Sequence, residues 1–224
     1  LPLPLEPQEL APVADELVRR NGLQEATVYM QISRGPAPRQ HLFPEEPRPT
    51  LFMVARGVAH ADESLYTTGV ELMSLEDRRW KLCHVKSLAL LANVLAKQEA
   101  KDAGAFDAVF VRDGIVTEST SANFFAVIKK TLVTHPEGPF ILSGITRKVV
   151  LELAERLCIP VEERPFTLIE LAEAEEAFIT STTIEVLPVV RIDGNVVGRG
   201  EPGPITKDLI EGFAQRKQQL AVSG

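Results

Sequence analysis

The chain has 224 residues, 45% of them hydrophobic, and a mean hydropathy of +0.03, enough to bury one or two ordinary cores. Its 24 Lys and Arg against 31 Asp and Glu give a net charge of −7, without the basic stripe that a nucleic-acid binder needs. No run approaches the roughly 20 apolar residues that cross a bilayer, and the first residues lack the pattern of a secretory signal, so a soluble, cytoplasmic protein with neither nucleic-acid nor membrane partners is expected.

The chain opens on Leu1 without an initiator Met, so either it is processed or further residues precede it. Leu10, Val13, Leu17 and Val18 recur at helical spacing and predict a helix over 7–21 that ends at Asn21-Gly22. Val28, Met30 and Ile32 alternate with polar neighbours as in a strand over 26–33. Arg34-Gly35 then opens a Pro-rich loop holding Arg39 and His41, and a second strand is expected over 50–55. A domain boundary is placed in the polar stretch 57–66.

Extended segments are predicted over 68–73 and 80–85, with a helix opening at Ser87 and carrying Leu88, Leu91, Val94 and Leu95 on one side. Lys86 is thereby expected at a strand-to-helix junction. Asp113-Gly114 and Lys129-Lys130 are read as turns of two hairpins. A helix should follow Gly144, with Val149, Val150, Leu153, Ala154 and Leu157 as its apolar stripe and Pro160 beyond its end. A short helix over 168–172, strands around Ser181-Thr182-Thr183, an Asp193-Gly194 turn and a last helix from about Ile205 complete the chain. This order predicts an α+β protein of two domains: a small α/β domain at 1–61, and a larger, mostly antiparallel, barrel-like domain with flanking helices at 62–224. Cys83 and Cys158 are read as reduced, packed thiols, since two cysteines make no disulfide framework and no metal spacing.

Several residues have chemical potential. Lys86 follows Leu82-Cys83-His84-Val85, and an amine desolvated among apolar groups favours the neutral, nucleophilic form that attacks carbonyls; a surface lysine capping a sheet fits the same pattern. Glu118 stands at a strand end beside a small polar run, where a carboxylate can pair with a ring nitrogen, although an exposed glutamate is the commoner outcome. Gly144-Ile145-Thr146 precedes a helix, where free backbone N–H groups and the helix dipole attract anions, or where an ordinary N-cap sits. Ser181-Thr182-Thr183 offers more hydroxyls, or a polar bend. Arg39 and His41, two apart, can grip a carboxylate or stay solvated. His60, His84 and His135 make no metal spacing with Cys, Asp or Glu, and no metal is assigned.

Together these stretches, Arg34-Gly35 through Arg39-Gln40-His41, Lys86-Ser87-Leu88 through Lys97-Gln98-Glu99-Ala100, Val116-Thr117-Glu118, Ser143-Gly144-Ile145-Thr146-Arg147 and Thr180-Ser181-Thr182-Thr183, resemble in residues and order the fold-type IV pyridoxal-phosphate enzymes. Within them the chain is similar to the D-amino-acid transaminases. The resemblance implies that the cofactor is pyridoxal 5′-phosphate, joined to Lys86 as a Schiff base, and that Lys86 also moves the substrate proton. It implies that Glu118 pairs with the pyridine nitrogen, that Leu142 packs on the ring, and that Ile145, Thr146, Ser181 and Thr182 bind the phosphate. Arg39 and His41 would hold the substrate carboxylate from the neighbouring subunit of a homodimer. The implied reaction exchanges the amino group of a D-amino acid such as D-alanine with a 2-oxo acid such as 2-oxoglutarate.

Members of that family carry a further stretch of chain before the segment that starts here, with an arginine for the phosphate and a tyrosine for the carboxylate. The alternatives are an L-branched-chain aminotransferase or an aminodeoxychorismate lyase of the same fold, or an inactive truncated homologue.

Overall fold

A computed structural model describes residues 2–58 and 62–223, with side chains described up to 219. The chain divides into two units, Leu1–His60 and Ala61–Gly224. The predicted boundary falls within residues 59–61 and their neighbours, and 59–61 lie outside the described residues.

In the first unit, helix α1 (Pro7–Arg20) lies against an antiparallel hairpin of β1 (Ala26–Ser33) and β2 (Thr50–Gly57). Its N-terminus is closed by a reciprocal Glu6–Glu9 capping box with Pro7 at the first helical position, where a missing N–H costs nothing. Val13, read as part of the apolar stripe, is exposed. Among the described residues of this unit none is fully buried.

The second unit contains α2 (Ser64–Thr68), β3 (Val70–Glu76), α3 (Leu91–Asp102), β4 (Asp107–Arg112), β5 (Ile115–Ser119), β6 (Asn123–Ile128) and β7 (Thr131–Thr134). After them come α4 (Ile145–Arg156), β8 (Val161–Glu163), α5 (Leu168–Leu171), β9 (Glu176–Ser181), β10 (Glu185–Ile192), β11 (Asn195–Val196) and α6 (Pro204–Ser223). Strands β3, β4, β5, β6, β9 and β10 pair in that order, and β10 pairs back onto β3, which closes a barrel. Most pairs are antiparallel; β3 is parallel to both its neighbours, and β7 to β8. The turns are as read: Asp113 and Gly114, and Lys129 and Lys130, all adopt positive φ, the geometry that matches the strand twist of a two-residue hairpin.

Alternation with period two builds both sides of the barrel wall. On β6, Phe124, Ala126 and Ile128 join Leu72, Val109, Val116, Ile179 and Leu187 from the other barrel strands in one cluster, while Phe125 and Val127 belong with Phe178, Val186, Leu153 and Leu209 beneath α4 and α6. Helix α3 closes the third cluster with Ala96 and Ala100 against Ala108 and Phe110.

Four expectations change. Residues 80–85 form bends and turns, not a strand, because both edges of β3 are already taken by β4 and β10 and no ladder remains to extend. The helix after Lys86 begins at Leu91, not Ser87, so Lys86 sits within a loop. The stripe of Leu88, Leu91, Val94 and Leu95 is real but points outward; the small alanines on the opposite face let α3 approach the sheet. Cys158 is exposed, whereas Cys83 is buried.

Helix α6 is tied to the barrel by one carboxylate. Glu176 accepts from the N–H groups of Ile205 at 3.1 Å and Thr206 at 2.7 Å, and from the Thr206 hydroxyl at 2.6 Å, satisfying donors that a helix start leaves free. We expect Glu176→Ala to destabilise the fold by roughly 1–3 kcal/mol, read as a lower urea midpoint; an unchanged midpoint would contradict this capping role.

Candidate active site

The site begins where β3 ends. The Asp77 N–H bonds the Val111 carbonyl at 2.9 Å, and two residues later Arg79 folds back over the strand ends. Its Nε and Nη2 donate to the two Asp77 oxygens, both at 2.9 Å, and Nη1 donates to Glu118 Oε1 at 2.5 Å. Arg112, from the end of β4, reaches Asp77 Oδ2 at 3.0 Å. Arg79 also lies over the Phe110 ring, 4.3 Å from its centroid. Asp77, Arg79 and Glu118 are buried and Arg112 is partly so, and setting opposite charges against one another offsets the cost of taking them out of water.

Glu118 is held on its second oxygen as well. Oε2 accepts from Asn123 Nδ2 and from the Leu142 N–H, each at 3.0 Å, and Asn123 also donates to the Leu142 carbonyl at 2.7 Å. Glu118 faces Asn123 across β5 and β6, and Asn123 faces Thr180 across β6 and β9. Burial pushes the Glu118 carboxyl up to about 7, against the pull of Arg79 and the Leu142 N–H; a carboxyl poised near neutrality in a water-poor setting is a mark of functional sites.

The loop bearing Lys86 is tethered at both ends to the segments that hold Glu118. Upstream, the Cys83 N–H donates to the Pro139 carbonyl at 2.8 Å, three residues before Leu142. Downstream, Asn93 Nδ2 donates to the Thr120 carbonyl at 2.7 Å, and Lys97 pairs with Asp107 at 3.0 Å. Lys86 itself is exposed, as are Leu82, Val85 and Leu88. Within one chain, therefore, the expected desolvation of the amine is absent.

Next to Asn123 stands the start of α4. Gly144 is its N-cap, in extended conformation and without a side-chain cap, so the first N–H groups stay available. A Cβ on Gly144 would lie 2.3 Å from Asn123 Oδ1, and any larger residue would push aside the amide that braces Glu118. Thr146 is buried and Ile145 exposed. Ser181 ends β9 and Thr182 occupies the following turn, one and two residues beyond Thr180. The structure thus gathers Glu118, Leu142, Ile145, Thr146, Ser181 and Thr182 at one end of the barrel, beside the tethered Lys86 loop. Arg39 and His41 lie in the β1–β2 loop of the first unit, both exposed.

Sequence reading missed Asp77, Arg79 and Asn123 as site residues. The Asp-x-Arg spacing just before the Lys86 loop is a signal, but the partner that gives it meaning, Glu118, is 39 residues away.

A closed barrel thus carries a buried carboxylate, a helix start without a side-chain cap and a lysine loop at one end. The sequence model of the amino-transferase class IV family matches residues 1–192. The D-alanine aminotransferase of Bacillus licheniformis is 42% identical over 201 residues, which cover 90% of this chain and 71% of that protein. That of Staphylococcus haemolyticus is 42% identical over 207 residues, covering 92% and 73%. Among solved structures, a branched-chain amino acid aminotransferase from T.th. with pyridoxamine 5′-phosphate superposes with a TM-score of 0.87 at 28% identity, over 95% of this chain and 72% of that one. The Escherichia coli branched-chain enzyme does so at 0.86 and 25%, over 96% and 73%. The chain belongs to the class IV aminotransferases, enzymes that transfer amino groups.

Proposed function

We propose that this protein moves the amino group of a D-amino acid such as D-alanine to a 2-oxo acid such as 2-oxoglutarate, with pyridoxal 5′-phosphate as cofactor. The observation that carries the reading is the Glu118 carboxylate: buried, braced by three donors, and still open on one side. Two carboxylate oxygens offer about four acceptor positions, so one remains for a ring N–H. The uncapped start of α4 suits a phosphate, and the buried Thr180 hydroxyl, which makes no hydrogen bond, lies at the same end. The residues present fit the cofactor.

When bound, the cofactor supplies a sink for the electrons left on the substrate when its α-proton departs. Lys86 would hold the cofactor through its Nζ and, freed by substrate, would carry the α-proton on that amine from the substrate α-carbon to the cofactor. Glu118 would hold the ring nitrogen, Leu142 would line the ring, and Ile145, Thr146, Ser181 and Thr182 would hold the phosphate. Ala61–Gly224 acts as the cofactor-binding domain and Leu1–His60 as part of a small domain.

A homodimer completes the site in this reading, with Arg39 and His41 of one copy holding the substrate carboxylate in the other. The outward row of Leu88, Leu91, Val94 and Leu95, the last three 72%, 60% and 61% exposed, supports it: so large an apolar strip is a surface that another protein covers, and covering it would also shield Lys86. Two free thiols suit a reducing cytoplasm, and among the described residues no helix is long and apolar enough to cross a membrane.

The second reading, transfer from L-branched-chain amino acids, is favoured by the superposition on branched-chain enzymes. The visible spectrum of the protein with pyridoxal phosphate separates the two. Bleaching of the yellow band by D-alanine alone is the expected result; bleaching by L-leucine alone would transfer the protein to the second reading.

A further inference from the structure

The amino-transfer reading gives Glu118 a task but leaves Arg79 without one, although Arg79 grips that carboxylate directly and braces the strand ends around it. Its guanidinium is fixed from four directions: the two Asp77 oxygens, the Phe140 carbonyl at 3.1 Å, the Phe110 ring beneath it, and Glu118 Oε1. Its side chain is 4% exposed. The bidentate contact with Asp77 already neutralises the guanidinium and uses two of its five N–H donors. Of the N–H groups that Asp77 and the Phe140 carbonyl leave, one on Nη1 is aimed at the Glu118 oxygen that Asn123 and Leu142 do not bond.

Resting on the pyridoxal-phosphate reading, we propose that Arg79 is a positioning residue for Glu118, orienting its open acceptor toward the ring nitrogen and keeping the shared proton on that nitrogen. The balance is a single proton transfer: Glu118 as carboxylic acid beside a neutral nitrogen, or Glu118 as carboxylate beside a protonated one. No electrons are exchanged and no other reactant is needed. A fixed guanidinium on the carboxylate favours the second arrangement, because it stabilises the anion and not the acid. Burial works the other way and is the larger influence on Glu118, so the contact with Arg79 decides how far the balance is drawn back toward the carboxylate. The other ionisable groups around Glu118 are Asp77 in the same segment, Arg112 from β4 acting through Asp77, and the Cys83 thiol, which burial pushes up. Asp77 opposes Arg79 and Arg112 offsets Asp77, so among these charges the pull toward the carboxylate comes from the arginine in direct contact.

The test uses the full chain with and without pyridoxal phosphate. In the cofactor-free protein, the Glu118 carboxyl is followed by carbon-13 NMR across pH in the wild type, Arg79→Gln and Arg79→Lys. Arg79→Gln is expected to raise the Glu118 titration by more than about one pH unit, and Arg79→Lys to recover most of that shift. With cofactor, Arg79→Gln should move the pH dependence of the visible band in the same direction. A folded Arg79→Gln protein whose Glu118 titrates as in the wild type would overturn the proposal, leaving Arg79 a structural residue. If Arg79→Gln does not fold, the wild type decides: the Arg79 Nη proton resonances must follow the Glu118 titration, and independence of the two overturns the proposal. Failure of the amino-transfer reading would look different, as a wild type that takes no colour with pyridoxal phosphate while the Arg79–Glu118 coupling in the cofactor-free protein persists.

Discussion

Lys86→Ala is expected to abolish amino transfer, with a loss on the order of 10³-fold or more, because one side chain supplies both the covalent attachment and the proton transfer. Lys86 is exposed in the loop between β3 and α3, so its removal opens no cavity in any of the three clusters, and the unfolding midpoint should stay within about 0.5 kcal/mol of the wild type. Single-turnover assays with D-alanine, paired with thermal unfolding of the cofactor-free protein, read both halves. Turnover near the wild-type level would remove Lys86 from the mechanism, and an equal collapse of activity and stability would make it a structural lysine.

Glu118→Gln should lower turnover by roughly 10²–10³-fold and also change how stability depends on pH. The amide keeps the size and one acceptor of the carboxyl but cannot carry the charge opposite a protonated ring nitrogen. Burial raises the folded-state value of Glu118 from 4.5 to about 7, so between those values the folded chain holds a proton that the unfolded chain has lost. Its contribution is therefore complete below about pH 4.5 and disappears as pH rises through about 7, a swing of at most about 3 kcal/mol. The cofactor-free wild type should lose stability between pH 5 and 8 relative to Glu118→Gln. Parallel unfolding curves for the two proteins across that range would place the titration elsewhere.

Much of the fold is legible in local pattern. The alternation on β1, the positive-φ turns at Asp113-Gly114 and Lys129-Lys130, and the stripe of Val150, Leu153 and Ala154 on α4 are each decided within a few residues. The candidate site was legible in part for the same reason: Glu118 at the end of a strand, Gly144-Ile145-Thr146 at a helix start and Ser181-Thr182 after β9 are local features whose chemistry follows from the backbone around them. Lys86 lies in a loop and not at the strand-to-helix junction that its neighbours suggest, because strand-like residues 80–85 have no free edge to join. Alternation specifies a strand only where a neighbour offers unpaired N–H and C=O groups.

Other features depend on what meets at a distance. Helix α3 carries two candidate faces, one of large aliphatics and one of alanines, and hydrophobicity alone selects the larger; the barrel accepts the alanines because Ala96 and Ala100 fit closely over Ala108 and Phe110. Asp77 and Arg79 lie just past the end of β3 and Arg112 at the end of β4, where locally they resemble any other charged residue, as Asn123 resembles any other polar one. Closure of β10 onto β3 brings the strand ends together and excludes water from them, and a charge in such a place must find a partner. The sequence by itself determined most of the strands, the hairpin turns and the start of α4, and marked Lys86 and Glu118 as candidates, since these rest on contacts between neighbours in the chain. The tertiary structure alone decided which face of α3 is buried, where Lys86 is exposed, and that Arg79 and Asn123 hold Glu118, because each depends on pairing across the barrel between residues that the chain keeps far apart.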